Sequence, residues 1–125
     1  MNASTRSRPS PSPRVAAFDK AMGEATQRYR TGDLGTAFVL LERAHVLGQP
    51  DFVLHMRVHL AMLRVAWALS DWREVRGQVL RLCLVPLGHL IGRLPRGNTG
   101  ASNVSAFAPM AVSSELEQLL SDKET

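Results

Sequence analysis

Residues 52 to 69 carry only four polar side chains, His55, Arg57, His59 and Arg64, among aliphatic and aromatic neighbours. With no Gly or Pro and no period-two alternation, the stretch predicts a helix covered by other elements over most of its circumference. At about 100° per residue, Arg57 and Arg64 fall together, while His55, His59 and Met62 fall opposite with Phe52, Ala66 and Leu69. A long arginine marks the wet side, so the two histidines are expected to point inward. Leu60 lies between the two stripes and is a candidate for contact with a second subunit.

The segment before it predicts a helix over 34–47, stopped by Gly48 in a left-handed conformation and by Pro50, with Asp51 capping the next helix. The same phase test sets Thr36 and Arg43 outward against Leu34, Phe38, Leu41 and His45, with Glu42 at the edge of the inner side. Glu42 and His45 are three residues apart, and His55 and His59 four apart. Each pair shares a helix face, and the short break between the helices folds the two faces together.

Apolar spacing over Val15, Phe18, Met22, Ala25 and Tyr29 predicts a first helix at 15–30, ended by Gly32-Asp33. Asp71-x-x-Glu74 resembles a capping box and opens a fourth helix. Its apolar residues Trp72, Val75, Val79 and Leu82 are expected to face in, and Arg73, Gly77 and Arg81 out. Pro86 is expected to kink or end it near Val85, with a short further turn over 87–94. Residues 95–109, rich in Gly, Asn and Ser, read as a loop whose side chains satisfy its own backbone while it packs over the helices. Ser114-x-x-Glu117 starts a last short helix at 115–120. The expected fold is all-α, two stacked antiparallel helical hairpins followed by the loop and the last helix.

At 125 residues the chain is one domain. Residues 1–14 contain Ser, Arg and Pro with little to pack, and are expected to form a disordered tail before a single helical domain at 15–125. Setting aside the three tail arginines, Arg6, Arg8 and Arg14, lowers the formal charge from +4 to +1, which argues against a nucleic-acid surface. No apolar run long enough for a signal peptide or a membrane span is visible, and a lone cysteine excludes an internal disulfide, so a cytoplasmic location is expected. Cys83, in an apolar run, reads as a buried inert thiol.

Tyr29-x-x-Gly32-Asp33-Leu34-x-x-Ala37-x-x-x-Leu41-x-x-Ala44 is similar to the small-residue pattern of a tetratricopeptide unit, and Asp71-Trp72, Val75, Val79 and Leu82 repeat it loosely without the turn glycine. Across 34–120 the chain also resembles a bacterial domain family of unknown function, through L-E-R-A-H-V-L-G-Q at 41–49, H-M-R-V-H at 55–59, D-W-R-E-V at 71–75 and G-N-T-G-A-S-N-V-S-A-F-A-P-M at 97–110. That resemblance implies a shared small helical fold and brings no activity.

Glu42, His45, His55 and His59 form what a mononuclear site with three nitrogens and one oxygen needs. Zinc is the first choice, with iron, nickel or copper behind it, because imidazole serves all of them. One Glu-x-x-His without further carboxylates disfavours a di-iron centre. The bland alternative is a buried knot, in which the histidines bond one another and Glu42, in a helical-hairpin protein-interaction module. His89 reads as a packing residue. Arg93 and Arg96 precede Gly97-Asn98-Thr99-Gly100, but no Gly-Lys-Ser or Gly-Lys-Thr is present and the phosphate reading is disfavoured. No serine or cysteine has a histidine at a spacing that indicates a nucleophile and base. The balance leans away from an enzyme, Glu42 being the one candidate base if a metal-bound water exists. The expected partners are thus a metal ion and a second protein or a second copy of the chain, not a membrane.

Overall fold

The structure is a computed structural model, describing residues 8–92, 98–102 and 109–121. The chain is all-α, in the order α1 (Pro13–Arg30), α2 (Leu34–Gly48), α3 (Phe52–Ala68), α4 (Trp72–Ile91) and α5 (Ser114–Ser121), with no strand among the described residues.

Helix α1 starts two residues before the expected position. Ser12 is its cap, with Oγ accepting from the Val15 amide at 3.2 Å, and Pro13 occupies the first turn, where its missing N–H costs nothing. Arg14, placed by the sequence in the tail, is instead 8 % exposed and donates to the Leu47 carbonyl at 2.7 Å. Residues 1–7 of the expected tail lie outside the described residues.

The first hairpin packs α1 on α2 through Phe18, Ala21 and Ala25 against Ala37, Leu41, Ala44 and Leu47, the small residues letting the axes approach. The second packs α3 on α4, and α2 joins α3 across the middle. Both hairpins turn in the same way. After α1, Asp33 N–H donates to the Arg28 carbonyl and Gly32 N–H to that of Tyr29, with Gly32 at φ +83°. After α3, Asp71 N–H donates to Ala66 and Ser70 N–H to Trp67, with Ser70 at φ +55°. Each is a Schellman turn, and Ser70 holds the left-handed position that glycine fills in the first. Asp33 and Asp71 then cap the helices that follow, accepting from Thr36 and Glu74 amides at 3.3 and 3.1 Å.

Gly48 does not act as a left-handed stop. It is the last residue of α2, and a Cβ there would stand 2.6 Å from Cε2 of Phe18 and 3.2 Å from Cβ of Leu54. Its smallness admits the Phe18 ring. Asp51 caps α3 as expected, accepting from Val53 and Leu54 amides at 3.0 and 3.2 Å.

On α3, His55, His59, Met62 and Ala66 are buried and Arg57 and Arg64 exposed, as expected. The two guanidinium groups lie over the Phe18 and Tyr29 rings, at 5.6 and 4.7 Å from their centroids. Phe52 and Leu69, expected inside, are both 45 % exposed.

Helix α4 meets the expectation only in part: Arg73 is exposed and Val75 and Leu82 are half-buried, but the rest of the helix is turned differently. Gln78, Arg81, Val85 and Gly88 are buried, whereas Trp72 and Val79 are about half exposed and Cys83 is exposed. The inner side of α4 meets a histidine and the 98–102 segment, whose polar groups need partners, so a polar face there removes a larger desolvation cost than an apolar one. Pro86 neither ends nor splits α4, which runs on to Ile91 and stops at Gly92, φ +71°. The Glu74 carboxylate does not return to the Asp71 amide as a capping box requires; it binds Gln78 and Ser102.

Helix α5 lies against α1 and α2, with Leu116 and Leu119 on the core. Ser113 caps it, one residue before the expected cap. Arg43 on α2 pairs with Glu115 at 2.6 Å. Among the described residues no helix is long and apolar enough to cross a membrane.

Candidate metal centre

His45 comes from the last turn of α2, and His55 and His59 from one face of α3, across a turn of only Gln49, Pro50 and Asp51. The three rings are 2 %, 4 % and 2 % exposed. Their Nε2 atoms form a small triangle: 3.0 Å from His45 to His55, 3.1 Å from His45 to His59 and 3.2 Å from His55 to His59.

The far side of each ring decides what this triangle is made of. His45 Nδ1 meets the Asn98 carbonyl at 2.5 Å, and a carbonyl only accepts, so the proton of His45 sits on Nδ1. His59 Nδ1 meets Gln78 Oε1 at 2.7 Å. The amide of Gln78 is oriented by its own NH2, which donates to Glu74 Oε1 and to the Gly100 carbonyl, both at 2.8 Å. The proton of His59 is therefore also on Nδ1. Both Nε2 atoms are lone pairs, 3.1 Å apart with no hydrogen between them. His55 Nδ1 meets His89 Nε2 at 3.0 Å, and when it donates there its Nε2 is the third inward lone pair.

Burial holds all three imidazoles neutral. His45 is pushed well below the ordinary histidine value by loss of water and then by its two histidine neighbours. His55 falls to about 3, by burial and then by His59 and His89. His59 is lowered by burial, with Arg81 acting in the same direction and the bond to Gln78 opposing. The neutral form is the one that ligates metal.

A short segment closes the cluster. Asn98 is 1 % exposed, and its Oδ1 accepts from the Gly100 amide at 2.8 Å, as expected of a loop that satisfies its own backbone. Gly100, at φ +79°, lies so near His45 that a Cβ would stand 2.5 Å from Cδ2 and 2.9 Å from Nε2. Ser102 binds the Glu74 carboxylate through its amide and its hydroxyl. The remainder of the loop expected over 95–109 is outside the described residues, apart from residue 109.

His45, His55 and His59 are thus brought together as the sequence predicts, within metal-ligating distance of one another. Glu42 is not gathered with them. It is half-buried one turn earlier on α2, outside the group of side chains that lie within metal-ligating reach of one another, and its carboxyl is raised by burial and then by Glu74. His89 exceeds a packing role: it holds the outer nitrogen of His55, with the Phe52 ring edge-on at 5.3 Å. Gln78, Asn98 and Gly100 were not anticipated.

A helical scaffold that gathers three neutral imidazoles, each held at its outer nitrogen, defines a small all-α protein with a buried histidine cluster. The chain belongs to the family described as "Protein of unknown function (DUF3703)", matched over residues 13–120. Neither curated proteins nor solved structures gave a match.

Proposed function

We propose that the protein binds one first-row divalent metal ion per chain through Nε2 of His45, His55 and His59. What supports this most is the tautomers: the fixed acceptors behind His45 and His59 make inward lone pairs of both. Facing lone pairs repel, and a cation among them turns that repulsion into three bonds. In a hydrogen-bonded knot, by contrast, only His55 could supply a proton to the triangle.

The donor set fits such an ion. Metal–nitrogen bonds of about 2.0–2.1 Å imply nitrogens about 3.3–3.4 Å apart in a tetrahedron and about 2.8–3.0 Å apart at right angles in an octahedron. The observed 3.0–3.2 Å lies between these values. Outer acceptors that orient ligating imidazoles are the ordinary accompaniment of a histidine metal site. Zinc is the first choice, with iron, nickel and copper behind it. The expected fourth ligand, Glu42, would reach the ion only after a side-chain rearrangement, and is otherwise a candidate for holding a proton near the fourth position.

Elemental analysis of the purified protein tests the reading. The expected result is about one metal per chain, lost in His59→Ala, with chelation lowering the melting temperature of the wild type and not of the variant. Metal-free wild type that neither takes up zinc nor responds to chelator would leave the buried knot as the account of the cluster. The alternative, a helical interaction module, has one observation of its own in the exposed apolar side of α4, which is independent of the metal.

A further inference from the structure

Because α4 turns its polar side to the histidines, its apolar side faces out. Trp72, Val79, Cys83 and Leu90 are all exposed, Leu90 by 83 %. At about 100° per residue these four fall within about 40° of one another, a single stripe along the helix. Leu80 and Leu87 widen it, and Trp67 of α3 extends it through an edge-on contact with Trp72 at 5.1 Å between centroids.

We propose that this stripe is the contact between two copies of the chain, their α4 helices packed antiparallel about a two-fold axis level with Arg81. The spacing of the stripe is the first reason. From Trp72 to Val79 is seven residues, to Cys83 four, to Leu90 seven again, and this order reads the same in both directions. An isologous contact needs that property, since every residue must meet a counterpart from the same patch. Across the axis Trp72 of one copy lies against Leu90 of the other, and Val79 against Cys83. Spacings of seven and four also follow the knobs-into-holes repeat of helices crossing at a shallow angle.

Charge and area agree with a second copy. Arg76 falls within the stripe, between Cys83 and Leu87 around the helix, and in this register it faces Pro86 of the other copy, where its aliphatic stem can lie on that ring while the guanidinium reaches water. The two Arg76 side chains start about 15 Å apart along the axis, at about 1.5 Å per residue, which exceeds the screening length of about 8 Å. The exposed parts of these apolar side chains amount to on the order of 700 Å². That is above the roughly 300–600 Å² of the largest patch on a typical monomer and near the roughly 800 Å² per partner of a standard interface.

Sedimentation equilibrium of the full chain from about 1 to 100 μM, with far-UV circular dichroism as the fold control, tests the contact. The expected result is a dimer in the wild type and a monomer of unchanged helicity in Leu90→Glu. Register is read separately by disulfide trapping, which needs only a mild substitution: Val79→Cys should oxidise with native Cys83 to a covalent dimer at least tenfold faster than Arg73→Cys, which lies off the stripe. A wild type monomeric throughout the range would overturn the proposal. So would a dimer insensitive to Leu90→Glu, equal trapping at both positions, or a monomer that sediments with phosphatidylcholine or phosphatidylglycerol vesicles, which would assign the face to a membrane surface.

Discussion

Gly100 rests on the face of His45, with no room for a methyl group between backbone and ring. The imidazole is therefore held from three directions: by Asn98 at Nδ1, by α3 at Nε2, and by the peptide of Gly100 at Cδ2. Gly100→Ala should be among the most damaging small substitutions in the chain. It forces a side chain into a left-handed backbone, at about 1–2 kcal/mol, and displaces either the loop or the ring, at about 1–3 kcal/mol more. Denaturant unfolding should show a loss of about 2 kcal/mol or more, and metal uptake should fall with it.

Gln78 is the outer support of His59, so its effect on metal should exceed its effect on the fold. Gln78→Leu keeps the volume, removes the acceptor and frees His59 to move its proton to Nε2. Metal affinity should drop about 10- to 100-fold, as when comparable supports are removed. His89→Ala should act in the same direction through His55. Competition against a chromophoric chelator measures both, and equal affinities in wild type and both variants would refute the supporting roles.

Acid should unfold the metal-free protein earlier than its carboxylates alone would. The folded histidines are held below the ordinary value, His55 at about 3, while in the unfolded chain they titrate near 6.5. Between these limits the unfolded state binds more protons, so stability rises with pH and is lost as pH falls below about 6.5. Each histidine still neutral in the fold contributes a slope of about 1.4 kcal/mol per pH unit in that window. Urea midpoints from pH 7.5 to 4.5 check the sign. In His55→Gln the slope should be smaller, and zinc should shift the loss to lower pH.

Two substitutions separate backbone conformation from space. Ser70→Gly should stabilise the protein by up to about 1 kcal/mol, because serine pays the steric cost of the left-handed turn that Gly32 avoids. Gly48→Ala should destabilise by about 1–3 kcal/mol, since overpacking against Phe18 outweighs the gain of about 0.5–1 kcal/mol in helix propensity. Thermal melts of the two variants should move in opposite directions.

What was legible in the sequence was local. Asp51 and Asp71 were readable as caps because a cap acts within three residues, and His55 and His59 as inward because α3 has so few polar side chains to orient. Helix α4 was misread for the opposite reason. Its inner face is chosen by groups remote in the chain, Gly100 and Ser102 among them, and a buried glutamine and arginine beside exposed tryptophan and valine look like the reverse arrangement. Gly48 shows the same limit, since its role comes from Phe18 rather than from its own turn. One signal for the missed supports was available: a long Gly/Asn/Ser segment in so small a domain usually has work to do.

The order of the parts along the chain also sets a timetable for assembly. His45 and His55 are ten residues apart and His45 and His59 fourteen, whereas Asn98 lies 53 residues beyond the ring it fixes. Closing the longer separation costs about 1.5 kcal/mol more in chain entropy than closing the shortest. Synthesis also delivers the three imidazoles tens of residues before their latch. On the proposed metal reading, a growing chain would meet the ion with the donors free to choose either tautomer, and Asn98 and Gly100 would arrive afterwards as the step that slows its departure. In such an order, capture and retention are functions of different segments, and a defect in the latch should appear first as faster release rather than slower uptake.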